Sequence, residues 1–340
     1  MAETPPSMVF PVRDYDLAST LSCGQAFRWE HVGAATFLSP RAAEDVARAS
    51  SPAGSWGVSL QVRSSGETPP EPAAGTAALR GSWEGVIGSR WVRQTANGEG
   101  IVAETAQSAG DWSWLTEYLQ TGVDMAAVLA SFPDDEPMRA ATAACRGLRL
   151  LRQEPWECLA SFILSSTKQI VQIRQIIAQL CERFGEPVAV PPGHAPAFAF
   201  PSAARLADCT EAELRDCKMG FRAPNLRRAA RSVAARELDL ERLRLLPADE
   251  AREALLRIHG VGPKVANCVL LFAYGFQSAF PVDVWVLKAL RQLYFPRRRP
   301  TPQRLRAFTA THFGPNAGFA QQYLFHYIRL TAKQSHDRPI

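Results

Sequence analysis

Leu255-Leu256-Arg257-Ile258-His259-Gly260-Val261-Gly262-Pro263-Lys264-Val265-Ala266-Asn267-Cys268 decides how this chain is read, with Pro281-Val282-Asp283-Val284 a short distance beyond. Apolar residues run up to a Gly-Val-Gly turn, Pro263 stands where the first position of a new helix belongs, and one lysine follows it. The pattern predicts a helix, a tight hairpin and a second helix. Glycines suit such a hairpin because a turn laid flat against a phosphate needs positive φ and no side chain over its N–H groups. A cation is disfavoured at the positive end of a helix. Two roles stay open for Lys264 on this reading, phosphate clamp and nucleophile.

Downstream of position 111 the apolar period is helical. Trp114, Leu115, Tyr118 and Leu119 mark one broad face, and a second stretch from Trp156 to Phe184 breaks near Ser165-Ser166-Thr167-Lys168 into two helices. After a Pro-rich connection, 187–201, helical periodicity recurs over 203–217, 225–236, 248–257, 264–274, 282–294, 301–313 and 317–330. The first hundred residues read differently. Residues 8–32 and 83–104 alternate like strands around turns such as Cys23-Gly24-Gln25, whereas 33–80 is rich in Ala, Gly, Ser and Pro and reads as a variable, partly disordered insertion. The expected fold class is α+β, with an N-terminal antiparallel β domain over 1–110, an all-α domain over 111–332 and a tail over 333–340.

With 340 residues, 46% of them hydrophobic, the chain can form two domains and a sizeable core. No apolar run reaches the roughly 20 residues of a membrane span, and Met1–Pro6 does not begin a signal peptide. No membrane partner is expected, and the protein is expected to be intracellular: cytoplasm or nucleoid if bacterial, nucleus if eukaryotic. The seven cysteines are odd in number and scattered, without a Cys-x-x-Cys pair, which argues for reduced thiols and against a zinc ribbon or iron–sulfur cluster. No metal and no cofactor is expected. The net charge of +5 is concentrated locally. Residues 257–300 carry Arg257, Lys264, Lys288, Arg291, Arg297, Arg298 and Arg299 against Asp283 alone, and 215–236 is similarly basic. That excess suits a polyanion such as nucleic acid, and equally two solvated helix faces.

Taken singly, Asp283 reads as a helix cap and Lys264 as a hairpin lysine. Together with Gly260-Val261-Gly262, they resemble the helix-hairpin-helix, Gly/Pro-Asp superfamily of base-excision DNA glycosylases, and within it the 8-oxoguanine DNA glycosylases. The likeness continues through Gly24-Gln25-Ala26-Phe27-Arg28-Trp29, Gly147–Pro155, Ser161-Phe162-Ile163, Gly220-Phe221-Arg222-Ala223 and Phe313–Gln321.

The resemblance implies a helix-hairpin-helix glycosylase core and removal of 8-oxoguanine from duplex DNA, followed by strand cleavage, by a monomer. Lys264 would be the nucleophile that forms a Schiff base with the sugar, and Asp283 would stabilise the developing positive charge. Gln321 and Phe325, four apart on a helix, would read and stack on the flipped base; Cys268 would form the second wall, and the Gly24 carbonyl would accept the N7 hydrogen that only the oxidised base carries. Outside the family, Phe325 and Cys268 read as core residues, Gln321 as a surface amide and Gly24 as a turn.

DNA contacts would come from His259, Gly260, Val261 and Gly262 of the hairpin, from Phe221 as a wedge beside Arg222, and from Trp285. Thr167, Lys168 and Gln169 stand where eukaryotic members carry asparagines that read the opposite cytosine. Phe221 lacks the hydroxyl of the family's aromatic wedge, and Trp285 stands where the animal enzymes have histidine. Two competitors remain: a related glycosylase for another damaged base, and a non-catalytic helix-hairpin-helix DNA-binding protein. Lys264 argues against the alkyl-base branch, and the missing cysteine cluster against the endonuclease III branch.

Overall fold

The computed structural model describes residues 5–33, 81–165, 169–297 and 299–336. Strands β1 (Ser7–Phe10), β2 (Trp29–Val32), β3 (Ser82–Ile87), β4 (Arg90–Asn97) and β5 (Gly100–Thr105) form one antiparallel sheet in the order β1-β5-β4-β3-β2. Alternation sets its inner face: Trp29, Trp83, Val92, Ile101 and Ala103 are buried. Helix α1 (Leu17–Ser22) interrupts the stretch expected to be only strand and turn, and Asp16 caps it by accepting from Ser19 N at 2.9 Å. Six residues, capped and half apolar, are too short for a period to stand out from alternation. The insertion expected over 33–80 lies, beyond Gly33, outside the described residues.

Helix α2 (Ser113–Leu119) closes the inner face of the sheet with Leu115 and Leu119, and Trp29 Nε1 donates to Tyr118 Oη across 2.8 Å. Helices α3 (Met125–Ala130) and α4 (Glu136–Ala144) lead into α5 (Pro155–Leu164). Apart from half-buried Glu157, every residue of α5 is buried, so α5 is the central rod of the helical body. The break expected near Ser165 separates it from α6 (Ile170–Phe184).

The Pro-rich connection forms a small hairpin, β6 (Pro187–Val188) with β7 (Ala197–Phe198). The single helix expected over 203–217 is instead α7 (Ala203–Asp208) and α8 (Glu211–Leu214), because Thr210 caps a new start by accepting from Glu213 N. Then follow α9 (Ala223–Ala234), α10 (Leu240–Leu243), α11 (Ala248–Leu256), α12 (Pro263–Val269), α13 (Val284–Ala289), α14 (Pro302–Thr311) and α15 (Ala317–His336). Both α12 and α13 continue as one wider turn, Leu270–Tyr274 and Leu290–Tyr294. The chain is thus α+β: an N-terminal antiparallel sheet followed by a helical helix-hairpin-helix core. Among the described residues no helix is long and apolar enough to cross a membrane.

Candidate active site

The hairpin between α11 and α12 is built as its sequence requires. Ile258 and Val261 are buried and hold it down, and Val261 N donates to Ile258 O at 3.0 Å. His259, Gly260 and Gly262 face solvent. Gly260 has φ +87°, and a Cβ there would lie 2.7 Å from Cβ of Asn225, so glycine is needed on both counts. Asn225 sits in the first turn of α9, directly after Phe221 and Arg222. Phe221 is 69% exposed, an apolar ring held out into solvent, and the buried Arg222 guanidinium lies 4.4 Å from its centroid. Hairpin and wedge candidate therefore share one neighbourhood.

Lys264 is the second residue of α12, whose N-cap is Gly262 and first residue Pro263. Its Nζ donates to Ser165 Oγ at 2.7 Å and lies 4.9 Å from the centroid of the Phe162 ring. Helix α12 packs on α5, which brings the lysine to the C-terminal end of the central rod. Cys268, one turn further along α12, is buried, and that burial pushes its thiol up to about 11; Lys264 pulls it down and Asp283 pushes it up further. Both charges therefore act on this one thiol. Asp283 caps α13, its Oδ1 accepting from Trp285 N at 2.9 Å and Val286 N at 2.8 Å. Trp285 is half-buried, with Lys288 Nζ 5.2 Å from its ring.

The other wall comes from α15, which packs on α13. Gln321 is no surface amide: it is 3% exposed, and its Oε1 is buried without a hydrogen-bond partner among the described residues. Such an acceptor is costly unless a ligand donates to it. Phe325 and Arg329 follow at intervals of four. The Arg329 guanidinium lies 5.2 Å from the Phe325 ring, Nη1 donates to Cys23 O at 3.1 Å, and Asp283 acts on it electrostatically. Arg329 thus joins α15 to the turn before Gly24.

Gly24 has φ +91°, and a Cβ there would meet Ile170 Cδ1 at 2.7 Å. Gln169, next to Ile170, is exposed at the start of α6, where Gln172 Oε1 accepts from its N–H at 3.3 Å. Thr167 and Lys168 lie outside the described residues. Sequence reasoning missed Ser165, Phe162 and Arg329. A signal existed for Arg329 alone, eight residues after Gln321 on the same helical stripe. Among the described residues no group of three or more His, Cys, Asp or Glu could hold a metal ion.

Comparison with known proteins bears on this arrangement. Residues 160–313 match the family described as "HhH-GPD superfamily base excision DNA repair protein", and residues 77–159 match "8-oxoguanine DNA glycosylase, N-terminal domain". The probable N-glycosylase/DNA lyase of Methanothermobacter thermautotrophicus is 33% identical over 219 residues, covering 58% of this chain and 69% of that protein. The chain belongs to the HhH-GPD superfamily of base excision DNA repair proteins. N-glycosylase/DNA lyase OGG1 of Arabidopsis thaliana is 31% identical over 243 residues, covering 66% of this chain and 65% of that protein. Among solved structures, the 8-oxoguanine glycosylase/lyase of Clostridium acetobutylicum bound to duplex DNA with cytosine opposite 8-oxoguanine superposes with a TM-score of 0.76. It is 26% identical, over 97% of this chain and 99% of that one. Both the HhH-GPD core and the N-terminal sheet are therefore shared.

Proposed function

We propose that this chain is a bifunctional DNA glycosylase and AP lyase that excises 8-oxoguanine from duplex DNA during base-excision repair. The observation that carries the reading is the Lys264 amine held at the end of the central helix, with Asp283 capping the helix that packs on α15 and a buried amide oxygen on Gln321 of α15 that lacks a partner among the described residues. The Lys264 amine attacks C1′ as the bond to the base breaks and the base departs with a proton. The C1′–O4′ bond then opens, O4′ taking the remaining amine proton, and the Schiff base so formed permits loss of a proton from C2′ and of the 3′ phosphate. Asp283 keeps one carboxylate oxygen on the α13 N-terminus and turns the other to the sugar's positive charge. Flipping the base costs a few kcal/mol. Phe325 and Cys268 as walls, Gln321 as the reader of the base edge and the Gly24 carbonyl as the detector of the extra hydrogen recover it. Gly260 and its neighbours hold phosphates, Phe221 fills the gap and Gln169 reaches toward the opposite base.

All these groups come from one chain, which supports action as a monomer inside the compartment that holds the DNA. Borohydride trapping on a duplex containing 8-oxoguanine tests the reading. A covalent adduct lost in Lys264→Gln is the expected result; binding without any adduct would leave only a non-catalytic DNA-binding protein. A duplex with an alkylated purine in place of 8-oxoguanine separates the remaining competitor.

A further inference from the structure

The helix that Asp283 caps carries a feature with no role in base removal. Val284, Lys288 and Arg291 follow one another at intervals of four and three along α13 and its continuation, forming a single stripe. The chain then turns at Phe295 and folds back, so that Arg297 and Arg299 line the same recess as Val284, the immediate neighbour of Asp283. The recess measures about 560 Å³, and no carboxylate lines it. Val284 at one end is 77% exposed, and Arg297 and Arg299 are exposed. None of the four cations forms an ion pair among the described residues. Arg291 Nε is buried there without a hydrogen-bond partner among the described residues.

Four like charges converging without a counter-charge repel one another, and the buried guanidinium nitrogen forgoes a hydrogen bond. An anion entering the recess relieves both costs. We propose that this recess binds the DNA backbone beside the lesion, a second phosphate site distinct from the Gly260 hairpin. The inference rests on the reading that the chain acts on duplex DNA. Two features favour DNA over an acidic protein. The recess begins one residue from the group that faces the sugar, so a strand held at Asp283 continues across it. Its stripe from Val284 to Arg291 also runs roughly 10 Å at about 1.5 Å per residue, which matches about three nucleotide steps of one strand. Arginine at its rim can take a phosphate with two parallel hydrogen bonds.

The test is the salt dependence of binding to a labelled duplex carrying a reduced abasic site, read by fluorescence anisotropy. Each phosphate neutralised contributes about 0.9 to the slope of log affinity against log salt. Arg297→Ala with Arg299→Ala should flatten that slope by about 2, whereas Arg297→Lys with Arg299→Lys should keep it. Lys288→Gln gives an independent reading, a flattening of about 1. A wild-type slope in both the alanine double variant and Lys288→Gln overturns the proposal. Wild-type adduct formation, measured alongside, separates the two readings. An adduct with unchanged slopes removes only the recess. Flattened slopes without any adduct remove only the glycosylase chemistry.

Discussion

Lys264 Nζ donates to Ser165 Oγ across 2.7 Å, linking residues 99 apart in sequence. In this arrangement the amine is held at the end of the central helix, over the Phe162 ring, with its direction set by that hydroxyl. Ser165 is accordingly a positioning residue. A hydrogen bond contributes about 0.5–1.5 kcal/mol, so Ser165→Ala should slow adduct formation by roughly two- to tenfold. Ser165→Thr, which keeps the hydroxyl, should restore most of the rate. Equal rates in all three proteins would remove Ser165 from the mechanism.

Asp283 has two duties that one substitution separates. Asparagine still presents an oxygen to Trp285 N and Val286 N, so the cap persists, while the carboxylate charge that the proposed mechanism needs is lost. Asp283→Asn should therefore melt near the wild-type temperature and bind an abasic duplex normally, yet turn over at least about a hundredfold more slowly. Full activity would show that the carboxylate is only a cap.

Gly24→Ala meets two obstacles, φ +91° and a contact of 2.7 Å with Ile170 Cδ1. Ile170 can yield by turning its side chain, but the positive φ strains any Cβ at this position and moves the carbonyl. The expected outcome is a loss of discrimination between 8-oxoguanine and guanine. Strand cleavage at a ready-made abasic site should survive, since that step needs no base recognition. Unchanged discrimination would argue that the Gly24 carbonyl reads nothing.

Gln321→Ala should lower kcat/KM on 8-oxoguanine by roughly five- to 150-fold, about 1–3 kcal/mol, since it removes a buried acceptor that the base would satisfy. With an abasic substrate the variant should match wild type. A parallel loss on both substrates would mean that Gln321 supports the fold of α15 rather than the base.

All seven cysteines are free and buried. Thiol reagents should label the native protein only as fast as it opens, and a single rapidly labelled cysteine would contradict the packing. The Cys268 thiol is held neutral, raised from an ordinary 9.0 to about 11. Its contribution to stability is therefore complete below about pH 9 and is lost as pH rises toward 11, because the unfolded chain ionises first. Cys268→Ala should show a shallower alkaline fall in melting temperature than wild type.

The legible parts of this molecule were those whose cause is local. The Gly-Val-Gly hairpin, Pro263 and the Asp283 cap announce helix ends through backbone chemistry that adjacent residues supply. The alternation of Trp83, Val92 and Ile101 announces a sheet. Helix α1 escaped because six residues hold less than two turns, and the division of 203–217 escaped because the Thr210 cap sits inside an unbroken helical period. At the site, Gln321 and Phe325 were found through their spacing, but no local pattern told whether Gln321 was buried. Ser165 and Arg329 act through partners 99 and 306 positions away, and such pairings exist only once the helices have packed.

Gln25 carries the last consequence. Its buried amide donates to Thr20 O at 2.9 Å and to Arg149 O at 2.8 Å and accepts from Leu151 N at 2.9 Å, while its own carbonyl accepts from Gln153 Nε2 at 2.8 Å. Gln153 N in turn donates to Phe272 O, on the continuation of the helix that bears Lys264. The sheet domain is thereby riveted to the helical body at the turn that carries Gly24. Trimming the protein down to its helices would take those bonds away together with Cys23 and Phe27, which belong to the helical core, so the two parts stand or fall as one.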